Sequence, residues 1–113
     1  MLSAHDLIQR FGSQVLAVAG IAQPERFFDD LSKMGFDPAP RVFNDHHAYQ
    51  ASDLETMRPL IITTEKDAVK FRPDWPIEAP IAVLKIKAKL SSDLETRMQA
   101  ELKRIGVISS AER

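Results

Sequence analysis

A chain of 113 residues has room for one domain around one core, burying roughly two-thirds of the surface its unfolded form exposes, and is too short for two. Its 15 Lys plus Arg against 16 Asp plus Glu leave a net charge of −1, which excludes a global positive field for drawing in nucleic acid, so any anion site must be local. With 44% hydrophobic and 27% charged residues and no cysteine, the composition is that of a folded globular chain; disulfides, thiolate nucleophiles and zinc-thiolate centres drop out, and a reducing compartment fits.

No apolar run reaches bilayer-spanning length, and the leader Met1–Arg10 has His5 and Asp6 where a secretory signal needs an apolar core, so a cytosolic location is expected. His5 reads as a surface residue. Val15–Gly20 is a continuous apolar run closed by Gly, the pattern of a strand buried on both faces. Pro24 suits the first turn of the next helix, Phe27, Phe28, Leu31 and Met34 repeat at helical spacing, and Gly35 ends it. The Phe27–Phe28 pair reads as core.

Ala39–Phe43 is a second short strand, left directly by Asn44-Asp45-His46-His47-Ala48-Tyr49. Ser52 with Glu55 forms a capping box that opens a short helix toward Met57. Leu60–Thr63 is a third buried strand, and Thr64 caps a helix running Glu65–Lys70. Pro73, Pro76 and Pro80 make the stretch around Trp75 a loop. The period then becomes two: Ala82, Leu84, Ile86, Ala88 and Leu90 share one face, and Lys85, Lys87 and Lys89 take the other, as in a half-exposed or edge strand. Those lysines read as edge protection, with a phosphate or lipid-headgroup patch as the alternative. Ser92 and Glu95 suggest a second capping box, and Leu94, Met98, Leu102 and Ile105 the stripe of a closing helix that stops at Gly106.

The expected fold class is α/β: a single Rossmann-like domain over residues 1–113, with a mostly parallel sheet of about four strands and helices on both faces. Right-handed crossovers bring every strand-to-helix loop of such a sheet to one edge. Gln23, Asp45, His46, His47, Thr64, Glu65 and Lys66 are therefore expected near one crevice, although they are far apart in sequence. Each has a plainer reading as well. Asp45 and His46 could simply cap loop backbone, and Glu65 and Asp67 place acids at the positive end of a helix dipole. A metal site on Asp45, His46 and His47 is disfavoured, because adjacent residues rarely aim at one ion and no further ligand cluster is visible.

Ala19-Gly20-Ile21 with Pro24-Glu25-Arg26-Phe27-Phe28, then Phe43 with Asp45-His46-His47, then Thr64-Glu65-Lys66-Asp67-Ala68-Val69-Lys70, in this order and spacing, resemble the C-terminal portion of the tetraacyldisaccharide 4′-kinase family. The resemblance spans about Val15 to Pro76, and the remaining strand and helix are compatible with it. It implies transfer of the γ-phosphoryl of ATP, with Mg2+, to the 4′-hydroxyl of a tetraacylated glucosamine disaccharide 1-phosphate, the lipid A precursor, at the cytoplasmic face of the inner membrane. The family activates the sugar hydroxyl with an aspartate–histidine pair; the resemblance implies its histidine at His46, with Asp45 beside it as a catalytic candidate, while the family's own catalytic aspartate lies in the N-terminal domain. Gln23, His47, Thr64, Glu65 and Lys66 are expected to bind substrate from their place at the crevice; Thr64–Asp67 also matches a family motif, without individual roles.

The sequence departs from the family in one large respect. It has no GxxxxGK followed by Ser or Thr, the phosphate loop that the family carries in an N-terminal domain. The expectation is therefore a truncated kinase, a fragment or separately encoded half, inactive without an N-terminal partner, with no complete nucleotide site and a peripheral contact with the membrane. Ala22-Gln23 is a smaller departure, where the family often has Gly and then a polar residue. Two other readings are open: a metal phosphoesterase of the Asp-His-His type, whose acidic and Gly-rich His motifs are missing here, and a non-catalytic remnant or protein-interaction module.

Overall fold

β1 (Gln14–Ala19) is buried along all but its first residue, because the apolar run of Val15–Ala19 meets a neighbour on each side and a helical layer or loop above and below. It pairs in parallel with β2 (Asp37–Val42) in the register Val15↔Pro38 and Ala17↔Pro40. It pairs in parallel with β3 (Ile61–Thr64) through Leu16↔Ile61 and Val18↔Thr63. β3 pairs in parallel with β4 (Ile81–Ile86), and β4 in antiparallel fashion with β5 (Met98–Lys103). The sheet order is β2-β1-β3-β4-β5, four parallel strands with one antiparallel strand added. These statements come from a computed structural model that describes residues 3–20, 24–86 and 98–103.

β2 carries two prolines because it is an edge strand. Asp37 donates its N–H to the Ser13 carbonyl and Phe43 its own to Ala19, so the intervening even positions, Pro38 and Pro40, face away from the ladder and lose no bond. Among the described residues three α-helices pack on the sheet: α1 (Ala4–Phe11), α2 (Pro24–Lys33) and α3 (Glu65–Ala68). A 3-10 helix spans Ala51–Leu54.

The two faces of the sheet follow the alternation of the strands. Val15, Ala17 and Ala19 of β1, Leu60 and Ile62, and Ala82 and Leu84 gather under α1 and α2 with Leu7, Phe27, Leu31 and Phe36. Leu16, Val18, Ile61, Ile81 and Val83 point the other way and are covered by Tyr49, Leu54 and Ile77, with Ala68 of α3, Phe71 and Trp75 alongside. A single polypeptide of this size thus builds a three-layered domain with helical cover on both faces, a Rossmann-like α/β arrangement.

Several sequence expectations need correction. Met98 and Leu102, expected on a closing helix, lie in β5, where Met98 pairs with Ile86 and Leu102 with Ala82. The ladder offered by β4 overrides the helical spacing. Ser92, Leu94, Glu95, Ile105 and Gly106 lie outside the described residues. With β3 on one side and β5 on the other, β4 is not an edge strand. Ile81, Ala82, Val83 and Leu84 are all buried, so its first half faces protein on both sides. Lys87 and Lys89 lie outside the described residues.

The Ser52–Glu55 box does not form. Gln50 is the N-cap instead, its N–H bonded to the Asp53 carboxylate at 2.8 Å, and Glu55 is already extended at the C-cap. The element is one 3-10 turn, and Met57 is fully exposed. α1 was absent from the sequence reading although its signal is local: Ser3 Oγ accepts from the Asp6 N–H at 3.1 Å and Asp6 accepts from the Ser3 N–H at 3.0 Å, a reciprocal cap. Leu7, Ile8 and Phe11 then seat it on the core.

Candidate functional site

Parallel strands put the exits of β1, β2 and β3 at one edge. Because the chain leaves β1 for β2 on one side and returns to β3 on the other, the exits of β1 and β3 flank a topological switch point, where open α/β sheets form their crevice. Gly20 follows β1, the loop 43–49 follows β2, and Thr64–Asp67 follows β3. The convergence expected from periodicity is present, and its centre is a buried carboxylate.

Asp67 is wholly inaccessible. Its Oδ1 accepts the Gly20 N–H at 3.1 Å and the Tyr49 hydroxyl at 2.9 Å, and its Oδ2 accepts the Thr64 hydroxyl at 2.6 Å. Thr64 Oγ1 also accepts the Asp67 N–H at 3.1 Å, which is the expected N-cap of α3. One side chain therefore ties together all three strand exits. Gly20 is required by this closeness: a Cβ there would stand 2.9 Å from the Asn44 carbonyl, 2.9 Å from the Tyr49 hydroxyl and 3.1 Å from Asp67 Oδ1. Burial, then the bond to Asp67, pushes the Tyr49 phenol well above its ordinary range, so it acts here as a donor.

The Asp45–His47 loop is pinned from two directions. Lys66 Nζ donates to Asp45 Oδ1 at 2.8 Å and Lys70 Nζ to the Asp45 carbonyl at 3.0 Å. The hydrogen bond and charge of Lys66 hold the Asp45 carboxyl below its usual range, and Asp45 in turn raises Lys66. On the other side His47 Nε2 lies 2.9 Å from Asp53 Oδ2. Its ring stacks on Phe43 with centroids 4.3 Å apart and makes a T-shaped contact with Tyr49 at 4.9 Å. Burial raises the Asp53 carboxyl, but the bonds from His47 and the Gln50 N–H with nearby positive charge outweigh it, leaving a net lowering.

Between these anchors His46 is exposed, and among the described residues it makes no hydrogen bond. The structure thus separates the three residues read together from sequence. Asp45 bonds Lys66, His47 meets Asp53, and His46 is left as an accessible imidazole beside a carboxylate. Lys66 is near Asp45, as expected, and Thr64 faces inward to Asp67. Gln23 lies outside the described residues.

The sequence offers Asp67 only as an acid at a helix start and Tyr49 and Lys70 only as members of longer motifs, and it gives no sign of Asp53. The spacing Thr64-x-x-Asp67 is legible as a helix start, but its burial is not, because the donors come from residues 18 and 47 positions away. No group of three His, Asp or Glu side chains that could hold a metal ion gathers among the described residues. A groove of about 190 Å³ is bounded by Leu54, Thr56, Pro76 and Ile77, and His46 is not among its lining residues. No helix among the described residues is long and apolar enough to cross a membrane.

Comparison with known proteins bears on this site. The family model described as tetraacyldisaccharide-1-P 4'-kinase matches residues 3–103. A tetraacyldisaccharide 4'-kinase of Alcanivorax borkumensis is 54% identical over 65 residues, covering 57% of this chain and 20% of that protein. Those of Xylella fastidiosa strain M12 and Xanthomonas euvesicatoria are 47% and 45% identical over 76 and 82 residues, covering 64% and 69% of this chain and 22% and 24% of theirs. The chain thus matches under a quarter of the length of these curated relatives. No solved structure matches it.

Proposed function

From the premise that the chain belongs to the tetraacyldisaccharide-1-P 4'-kinase family, we propose that it supplies the His46-bearing C-terminal part of such a kinase. The reaction is phosphoryl transfer from ATP to the 4′-hydroxyl of the tetraacyldisaccharide 1-phosphate lipid A precursor. The observation that carries this reading is the loop itself: both neighbours of His46 are engaged, by Lys66 and by Asp53, and the imidazole between them is free to meet a substrate.

His46 takes the proton of the sugar hydroxyl as its oxygen approaches phosphorus, which general-base catalysis of phosphoryl transfer requires. Asp45, one residue away, favours the imidazolium that results. Its bond to Lys66 keeps it ionised for that purpose. Lys66 and Lys70 place two ammonium groups against the same loop, suited to phosphate oxygens of the substrate. His47 acts in this scheme through its hold on the loop, and Thr64 through Asp67; Glu65 and Gln23 remain candidates for sugar contact.

The phosphate loop and the Mg2+ ligands belong, in this reading, to an N-terminal domain supplied in cis or in trans. The chain alone then turns over no substrate. The substrate's acyl chains place the assembled enzyme at the cytoplasmic face of the inner membrane as a peripheral protein.

Complementation tests this directly. In a strain depleted of its own 4'-kinase, the chain is supplied with and without a separately expressed N-terminal kinase domain, each with a His46→Ala control. Rescue only by the pair, abolished by the alanine, is the expected result. Rescue by the pair that survives His46→Ala would remove His46 from the chemistry. Failure of every combination, with both pieces folded, would leave the chain a remnant or a binding module.

A further inference from the structure

A fully buried carboxylate with no cation bonded to it is an expensive feature. Among the described residues Asp67 is such a group: its hydrogen-bond donors are a backbone N–H, a phenol and a threonine hydroxyl. An apolar residue at α3 would serve packing as well, so this arrangement calls for a role that packing does not explain.

We infer that Asp67 is a positioning residue which, through the Tyr49 hydroxyl, sets the place and order of the loop 44–48 that presents His46. The chain of contacts is continuous. Asp67 orients the Tyr49 hydroxyl at 2.9 Å; the Tyr49 ring makes T-shaped contacts with Phe43 at 5.2 Å and His47 at 4.9 Å; His47 closes the loop through its N–H to the Asn44 carbonyl at 3.0 Å. Phe71 buttresses the same tyrosine from behind at 5.1 Å. Aromatic contacts alone permit the ring to slide, and the directional bond to a rigidly held carboxylate removes that freedom. Asp67 is itself fixed by β1 through Gly20 and by α3 through its own N–H. The loop is thereby registered against β1 as well as against Lys66, Lys70 and Asp53.

The functional meaning of this device rests on the proposed role of His46, but its existence does not. It is tested on the 113-residue chain by backbone ¹⁵N relaxation in Tyr49→Phe and Asp67→Asn. Tyr49→Phe keeps the ring and removes only the hydroxyl. Asp67→Asn keeps the volume and turns one acceptor toward a donor that already faces it.

The expected result is that order parameters at 44–48 fall from the rigid range near 0.85 to below about 0.6, while those of β1 and β3 stay as in the parent chain. Loop order unchanged in Tyr49→Phe would overturn the inference. Equal loss of order in the loop and in both strands would also overturn it, since that is the signature of general destabilisation. If Asp67→Asn does not fold, the Tyr49→Phe measurement decides alone. A disordered loop in Tyr49→Phe together with full activity of a reconstituted His46→Ala enzyme would leave this inference standing and the proposed function refuted.

Discussion

The two faces of the sheet are packed by different chemistry. Under α1 and α2 every buried residue is apolar, from Leu7 through Phe27 and Leu31 to Leu84. The opposite face also buries Leu16, Val18, Ile61, Ile81 and Val83, and adds rings to them: Phe43, His47, Tyr49, Phe71 and Trp75 form a chain with successive centroids 4.3 to 6.0 Å apart. The buried polar residues Thr63 and Asp67 both serve this second side or its exits. Burial of apolar area is non-directional and holds the domain together wherever the pieces fit. Hydrogen bonds and ring edges have direction, and they hold one loop in one place. Both faces stabilise the domain by apolar burial, and the second in addition sets the geometry around His46.

This division predicts separable mutational effects. The largest is expected at Leu31→Ala. Leu31 is wholly buried on the apolar face, and such a truncation costs about 2–5 kcal/mol. Urea denaturation should show that loss while the His47 and Tyr49 resonances of the folded fraction stay put; movement of those resonances would break the comparison. Gly20→Ala comes next. Its methyl must displace the Asn44 carbonyl or the Tyr49 hydroxyl, at an overpacking cost of about 1–3 kcal/mol. It should shift the His47 and Tyr49 resonances that Leu31→Ala leaves alone.

A smaller change is expected of Thr63→Val. The hydroxyl donates to the Val18 carbonyl at 2.8 Å in a buried site, and the isosteric loss is worth about 0.5–1.5 kcal/mol, measurable as a lower urea midpoint with no change in slope.

The smallest is a pH effect. Because the folded chain holds the Asp53 carboxyl below its ordinary value of 3.8, the unfolded chain binds more protons between the two values. The stabilisation is therefore complete above pH 3.8 and fades as pH falls through the lowered value. The difference in urea midpoint between the parent chain and Asp53→Asn should narrow over that range. A difference that grows on acidification would mean that the His47–Asp53 contact does not stabilise the ionised form.

The apolar face was largely legible in the sequence, and the second was legible only in outline. Val15–Ala19, the Phe27–Leu31 repeat and Leu60–Thr63 announce β1, α2 and β3 through periodicity, because each pattern is local. Pro24, Gly35 and Thr64 mark boundaries for equally local reasons. Where a segment's state depends on its neighbours, the reading failed. Met98–Lys103 has helical spacing but takes the ladder that β4 offers, and β4 is interior for the same reason. Ser52 and Glu55 have the spacing of a cap, yet Gln50 and Asp53 make it, since His47 draws Asp53 toward the loop.

By itself the sequence determined an α/β domain, the chain positions of its parallel strands and the family to which its motifs point. These follow from residue spacing and from the backbone preferences of Gly and Pro, which act over a few residues. Only the tertiary structure decided the partners: that Asp45 meets Lys66 and His47 meets Asp53, leaving His46 exposed, and that Asp67 lies buried between Gly20 and Tyr49. Those contacts join residues up to 47 positions apart. Their energies depend on burial and on angles that exist only once the strands have been brought together.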